Sequence, residues 1–241
     1  MAQIGFEPPE VSGPKVFENI NKALELDPGF PDLHFTLALI ATWVEWDWEK
    51  GEKEFKLALE VNPNDAAALV YYGQLHGILQ RRDECELLAA KGVSIDPLNP
   101  FILSIAGAAY LCINENRKGL ELAERALEIK PGDVIANVVL EAAATELNDY
   151  KKAMEAVRAT SSEIGLDMKE LEELMDKEKY KEAYREHAFI MEKLYNEGKA
   201  GMNAMDVAVK FIRPMKLKRV STILKRLTRH MNRVYQLLLP A

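Results

Sequence analysis

Apolar side chains recur along this chain at helical rather than strand intervals. Val16, Phe17, Ile20, Ala23 and Leu24 form one stripe, and Tyr180, Ala183, Tyr184, His187, Met191 and Leu194 form another, each at the spacing that puts side chains on one helical face. Near the C-terminus Val220, Ile223, Leu224, Leu227, Met231, Val234 and Leu238 share a face, with Arg226, Arg229 and Arg233 opposite. That pattern predicts an amphipathic helix docked apolar side down. Glycine and proline, 13 and 11 in 241 residues, are too sparse for an all-β architecture of many tight turns. The longest apolar stretch, Phe101 to Ile113, is shorter than a membrane span and reads as a buried helix.

Within the first two thirds of the chain the pattern repeats. Ala-Leu-Glu-Leu-Asp-Pro ends at Pro28, Ala-Leu-Glu-Val-Asn-Pro at Pro63, Gly-Val-Ser-Ile-Asp-Pro at Pro97 and Ala-Leu-Glu-Ile-Lys-Pro at Pro131, at spacings of 35, 34 and 34. Proline cannot continue a helix, so each one marks the end of a second helix and the period is that of a helix-turn-helix unit. Ten residues after each proline stand Ala38, Gly73, Gly107 and Glu141; seven before each repeat's Ala or Gly stand Val16, Gly51, Cys85 and Gly119. Most of these are small, which lets two antiparallel helices approach closely. Glu141 breaks the pattern.

These residues resemble the tetratricopeptide repeat family. The family's small residue in the first helix matches Ala38, Gly73 and Gly107, and its aromatic three positions on matches Tyr110. Its closing Ala and Pro match Ala23 with Pro28, Ala58 with Pro63, and Ala126 with Pro131; Gly92 replaces the Ala before Pro97. A further unit runs from Val134 with Ala153 in the small second-helix position, and the register fades near Ser161. The segment Trp46-Asp47-Trp48 followed by Glu52, Phe55, Ala58, Leu59, Asn62 and Pro63 is similar to repeat arrays attached to bacterial signalling proteins such as adenylate-cyclase-like and winged-helix regulators.

The resemblance implies an all-α solenoid, a right-handed superhelix of antiparallel helix pairs with divergent capping helices at its C-terminal end. The layout expected is a repeat array over 1–161, with a half repeat at 14–28 and units at about 30–63, 65–97, 100–131 and 134–161. A divergent helical region, 162–241, then carries helices at about 168–176, 178–197, 204–213 and 216–238. The chain opens inside a unit, which points to further sequence upstream and to a regulatory part of a larger protein.

Composition, 48% hydrophobic and 29% charged, excludes a disordered or membrane-embedded chain. Two cysteines, Cys85 and Cys112, make no disulfide framework, and Met1 to Glu10 lacks the marks of a signal peptide, so the expected location is cytoplasmic. Charge is polarised along the sequence. Residues 198–241 hold ten Lys or Arg and one acid, for a net of +9, against −16 for the rest. The basic patch is Lys216, Lys218, Arg219, Lys225, Arg226, Arg229 and Arg233. It reads either as the solvated face of a capping helix or as an adaptor for nucleic acid or an anionic surface. Nucleic acid is disfavoured because no aromatic residues interleave the cations to stack on bases.

Catalytic chemistry is not expected. His34, His76, His187 and His230 are scattered, no His or Cys pair has metal-ligand spacing, and no phosphate-cradling loop or nucleophile elbow is present. No cofactor and no metal are expected. In the family, first helices line a concave binding surface. Members that clamp a peptide carboxylate do so with cations there, and the corresponding positions here carry none. The resemblance therefore implies an apolar groove for a peptide or helix of a partner protein, with Phe35, Leu39, Trp43, Tyr71, Gln74, Ser104 and Ala108 as contacts. Tyr71 and Gln74 are expected to orient the ligand. Trp43, Trp46 and Trp48 cluster at one turn, where they read either as a partner anchor or as packing against Phe55 in a longer turn. Homo-oligomerisation is compatible with all of this.

Overall fold

A computed structural model describes residues 18–20, 22, 25, 33–43, 45–161 and 166–196. Its helices are α1 (Leu33–Trp43), α2 (Trp48–Val61), α3 (Ala66–Ile78), α4 (Arg82–Ile95), α5 (Pro100–Cys112), α6 (Asn116–Ile129), α7 (Val134–Glu146), α8 (Tyr150–Thr160), α9 (Lys169–Met175) and α10 (Tyr180–Asn196). No strand occurs among the described residues. The chain divides into two compact units, Ala23–Thr160 and a second comprising Met1–Lys22 with Ser161–Ala241.

Local chemistry sets where each helix starts. Asp65 and Asp133 accept hydrogen bonds of 3.0 Å from the backbone N–H groups of Ala68 and Ala136, and Asn99 accepts one of 3.0 Å from Phe101. Each satisfies a donor that the first helical turn leaves without a partner. These three caps stand 34 residues apart, just after the prolines that end the preceding helices.

The turns inside each pair are built alike. Gln80, Asn114 and Asn148 adopt left-handed backbone angles, φ 58°, 62° and 62°. Their N–H groups donate to Gly77, Leu111 and Thr145, and the following N–H of Arg81, Glu115 and Asp149 reaches back five residues to His76, Tyr110 and Ala144. This double closure caps the carbonyls at the end of the first helix and reverses the chain in three residues. The turn between α1 and α2 is one residue longer, which accounts for the spacing of 35. There Trp46 takes the left-handed angle, φ 58°, and the N–H of Asp47 reaches back six residues to Ala41.

Small residues bring the paired helices together. A Cβ added at Gly107 would lie 3.2 Å from the carbonyl of Gly119, and one added at Gly119 would lie 3.1 Å from that of Gly107. Gly73 meets the backbone of Cys85 and Ala89 in the same way, at 3.3 and 3.1 Å. At Glu141 the small residue is absent from the first helix, and Ala153 on the second helix is fully buried.

Successive pairs stack. The first helices α3, α5 and α7 pack directly on one another, whereas second helices make their broad contacts with first helices, α2 with α3, α4 with α5 and α6 with α7. First helices therefore form the inner layer of the array and second helices the outer. One core runs from α1 into α7, with Phe55, Leu75, Leu103 and Cys85 fully buried, and a second cluster of Ala123, Val139, Leu140 and Ala156 joins α6, α7 and α8. Burial of each large apolar side chain contributes about 1.5–3 kcal/mol. Outer helices are also tied across units: Lys91 Nζ donates to the carbonyl of Pro63 at 2.9 Å, and Arg125 donates to that of Pro97 at 3.4 Å.

In the second unit, α9 and α10 form a further hairpin. Its helices match those expected near 168–176 and 178–197; the expected helices at about 204–213 and 216–238 lie outside the described residues. Although the 34-residue period has lapsed, the turn is the same: Glu178 has φ 57°, its N–H donates to Met175 and that of Lys179 to Leu174. Ala183, fully buried four residues after Lys179, occupies the place that Cys85 and Gly119 hold in the array.

Candidate functional site

The inner layer is chemically distinct from the outer one. In α1, α3, α5 and α7 the only formally charged residues are Glu141 and Glu146; α5 has none. Aromatic rings from three consecutive units meet on this layer. Tyr71 of α3 is 5.9 Å from Phe35, 5.2 Å from Trp43 and 6.0 Å from Phe101, centroid to centroid, so α1, α3 and α5 are joined by tilted and edge-on ring contacts. Beneath them Phe55 of α2 approaches Phe35 at 6.4 Å and Trp43 at 6.2 Å.

The seven expected contacts separate by burial. Phe35, Leu39, Trp43, Gln74 and Ala108 are half-buried and present part of their surface. Tyr71 is 5% exposed and Ser104 is fully buried. The Ser104 hydroxyl donates back to the Pro100 carbonyl at 2.7 Å, a local helix bond that leaves nothing facing outward. The structure places both residues in the interior: Tyr71 supports the aromatic layer and Ser104 packs the core. More accessible than any of them are Phe101, 37% exposed, and Val138, 54% exposed. Both stand at first-helix positions that the repeat register identifies as groove-lining, and burial alone distinguishes them. The Gln74 side-chain oxygen is buried without a hydrogen-bond partner among the described residues.

Of the three tryptophans, Trp43 packs edge-on against Phe55, as the packing reading expected. Trp46 and Trp48 are instead exposed at the longer turn. The cations of the basic patch, Lys216 to Arg233, lie outside the described residues.

Titratable groups in the array serve packing. Burial pushes the Cys85 thiol up to about 12 and the Cys112 thiol up to about 11, so neither is a thiolate at neutral pH. Cys85 Sγ approaches the carbonyl of Ala109 at 3.4 Å, a contact between adjacent units. His34 Nδ1 lies 2.7 Å from Glu54 Oε2 and links α1 to α2. His76 is buried with its ring 4.5 Å from that of Tyr72, and burial lowers its pKa. Glu52, held by hydrogen bonds from Lys56 and Arg81, is lowered to about 2. His187 is buried in α10, and His230 lies outside the described residues. Among the described residues no group of three or more His, Cys, Asp or Glu is gathered to hold a metal ion, and no helix is long and apolar enough to cross a membrane.

No protein-family model matches the chain, and no curated protein sequence matches it. Solved structures do. One described as the functional characterization of Pseudomonas aeruginosa pilF superposes with a TM-score of 0.55 at 18% identity, over 81% of this chain and 90% of that one. MamA from Desulfovibrio magneticus RS-1 gives 0.46 at 20% identity over 58% and 78%. YrrB, described as a TPR protein with an unusual peptide-binding site, gives 0.44 at 15% identity over 86% and 97%. At these identities the likeness is one of fold.

Proposed function

Starting from a tetratricopeptide-like solenoid, we propose that this chain is a non-catalytic protein-interaction scaffold that receives an apolar or amphipathic helical peptide on its inner layer. One observation carries the reading: the exposed surface of the first helices is apolar, with Phe101 and Val138 open and no Lys or Arg on α1, α3, α5 or α7. An anionic peptide terminus would find no counter-charge there, and burying it unpaired is costly. Apolar contact is favourable. Covering about 600 Å² of apolar surface is worth on the order of 15 kcal/mol before the costs of association are subtracted. Phe101, resting on Tyr71, is the natural anchor, with Phe35, Leu39 and Ala108 extending the floor and Gln74 supplying a polar group that orients the ligand.

The similarity of the Trp46 to Pro63 segment to arrays on bacterial regulators supports a finer reading, in which this scaffold is the regulatory part of a larger signalling protein. Selection of a displayed random peptide library against the purified chain tests the binding reading. Enriched peptides should be apolar on one helical face, and their binding should weaken in Phe101→Ala and Val138→Ala variants while surviving high salt. Enrichment of peptides indifferent to both variants would sink the assignment of the inner layer as the site.

A further inference from the structure

Cys85 and Cys112, the two cysteines of the chain, meet where the hairpin α3–α4 stacks on the hairpin α5–α6. Cys85 lies in α4 and is fully buried, whereas Cys112 is the last residue of α5 and is half-buried. Cys85 Sγ rests 3.4 Å from the carbonyl of Ala109, one turn before Cys112 on the same helix. Both cysteines border Gly77: a Cβ added there would lie 2.8 Å from Cys112 Cβ and 3.2 Å from Cys85 Sγ. Two groups so close to one point lie within about 6 Å of each other, and because residue 77 is glycine no side chain separates them. A disulfide spans Cβ atoms about 4 Å apart, a distance on the scale of this shared gap. After burial, Cys112 is the next cause that holds the Cys85 thiol above its ordinary value, so each group lies in the field of the other.

The backbone of this junction is tied down by other bonds. Gln80 Nε2 donates to the carbonyls of Gly77 and Cys112, each at 3.0 Å, so one amide holds the ends of α3 and α5 together. Arg82 donates to the Ile113 carbonyl at 2.9 Å and pairs with Glu115. From this juxtaposition we propose that Cys85 and Cys112 are a dithiol that closes to a disulfide when the chain meets a peroxide, stapling α3–α4 to α5–α6. Cys112 reacts first, because of the two it is the one that reaches solvent. Its sulfur, as the thiolate, attacks a peroxide oxygen and breaks the O–O bond; Cys112 becomes a sulfenic acid, and the departing hydroxide takes up the proton the thiol gave, leaving as water. The Cys85 sulfur then attacks the sulfenic sulfur, the S–O bond breaks, and that oxygen leaves with the Cys85 proton as a second water. Two thiols and one hydrogen peroxide thus give one disulfide and two waters. Burial opposes the thiolate but not the product, since a disulfide carries no charge. Closure is therefore slow at neutral pH.

The test treats the full chain with hydrogen peroxide, without denaturant and at several protein concentrations, and reads intact mass, free thiols and the peptide map without reductant. The mass should fall by two hydrogen atoms, both free thiols should disappear, and a linked pair of peptides containing Cys85 and Cys112 should form. Its rate should be independent of protein concentration and rise about tenfold per pH unit between about pH 7 and 9, as the thiolate fraction does. In Cys85→Ser the same treatment should leave Cys112 as a sulfenic acid that dimedone traps; in Cys112→Ser, Cys85 should stay reduced for longer. The bridged chain should unfold at higher urea than the reduced chain, the shift vanishing with dithiothreitol. Oxidation of Cys112 while Cys85 remains a thiol, a link formed only between chains, or no reaction of the folded chain each overturns the proposal. A bridge that lowers the urea midpoint overturns its role as a staple.

Discussion

In the first helices of the array charge is confined to Glu141 and Glu146, whereas the second helices carry Lys, Arg, Asp or Glu at most exposed positions and pair them across units, as Glu52 with Arg81 and Glu124 with Lys152. The two layers hold the same solenoid by different means. Outer pairs are solvent-exposed, and each contributes little to stability. Inner residues fix how closely backbones approach, so a single atom added at Gly107 meets Val139 at 3.0 Å. Stability and recognition should therefore respond strongly to inner-layer changes and weakly to outer ones.

Gly107→Leu sharpens this most, because the new side chain must displace the backbone of α6. Overpacking of this kind should lower stability by about 3 kcal/mol in urea denaturation, while Lys118→Ala, on the outer layer of the same unit, should leave the midpoint nearly unchanged. Next in size, Phe101→Ala should weaken a bound helical peptide by about 2 kcal/mol, the scale of an aromatic hot spot. Melting should move far less, since Phe101 is partly exposed in the free chain; equal losses of melting temperature and affinity would make it a core residue instead. Trp46→Asn should raise stability by about 1 kcal/mol, because asparagine tolerates the left-handed backbone that tryptophan adopts there at a cost.

The smallest effect is in pH. His76 is held neutral by burial, its pKa below the ordinary imidazole value of 6.5, so the stability linked to it is present above that pH and lost as pH falls through it. Glu52, lowered from 4.5 to about 2, adds a second loss between those values. Denaturation midpoints measured against pH should show both declines, and His76→Phe should remove the upper one alone.

Much of the array was legible because its determinants are local. The prolines at 28, 63, 97 and 131 give the period, and small residues at Gly73, Cys85, Gly107 and Gly119 give the crossing points. The α9–α10 hairpin was legible as two helices but not as a return of the same turn. That turn depends on a left-handed backbone, and Glu178 carries no sign of it, whereas Asn114 and Asn148 do. At the site, register identified the inner face. It could not rank Tyr71 and Ser104 below Phe101 and Val138, because burial there depends on how far neighbouring helices lean over each position. Nor does register show that the Ser104 hydroxyl is used by its own helix.

The double closure at Gln80, Asn114, Asn148 and Glu178 has an evolutionary consequence. Each reversal supplies its own hydrogen bonds from within about ten residues of chain, and its backbone bonds borrow nothing from adjacent hairpins. A gene duplication that inserts or removes one whole hairpin would leave the backbone closure of every remaining reversal intact, with only side-chain bonds such as those from Gln80 and Arg82 to the Cys112 and Ile113 carbonyls to be replaced.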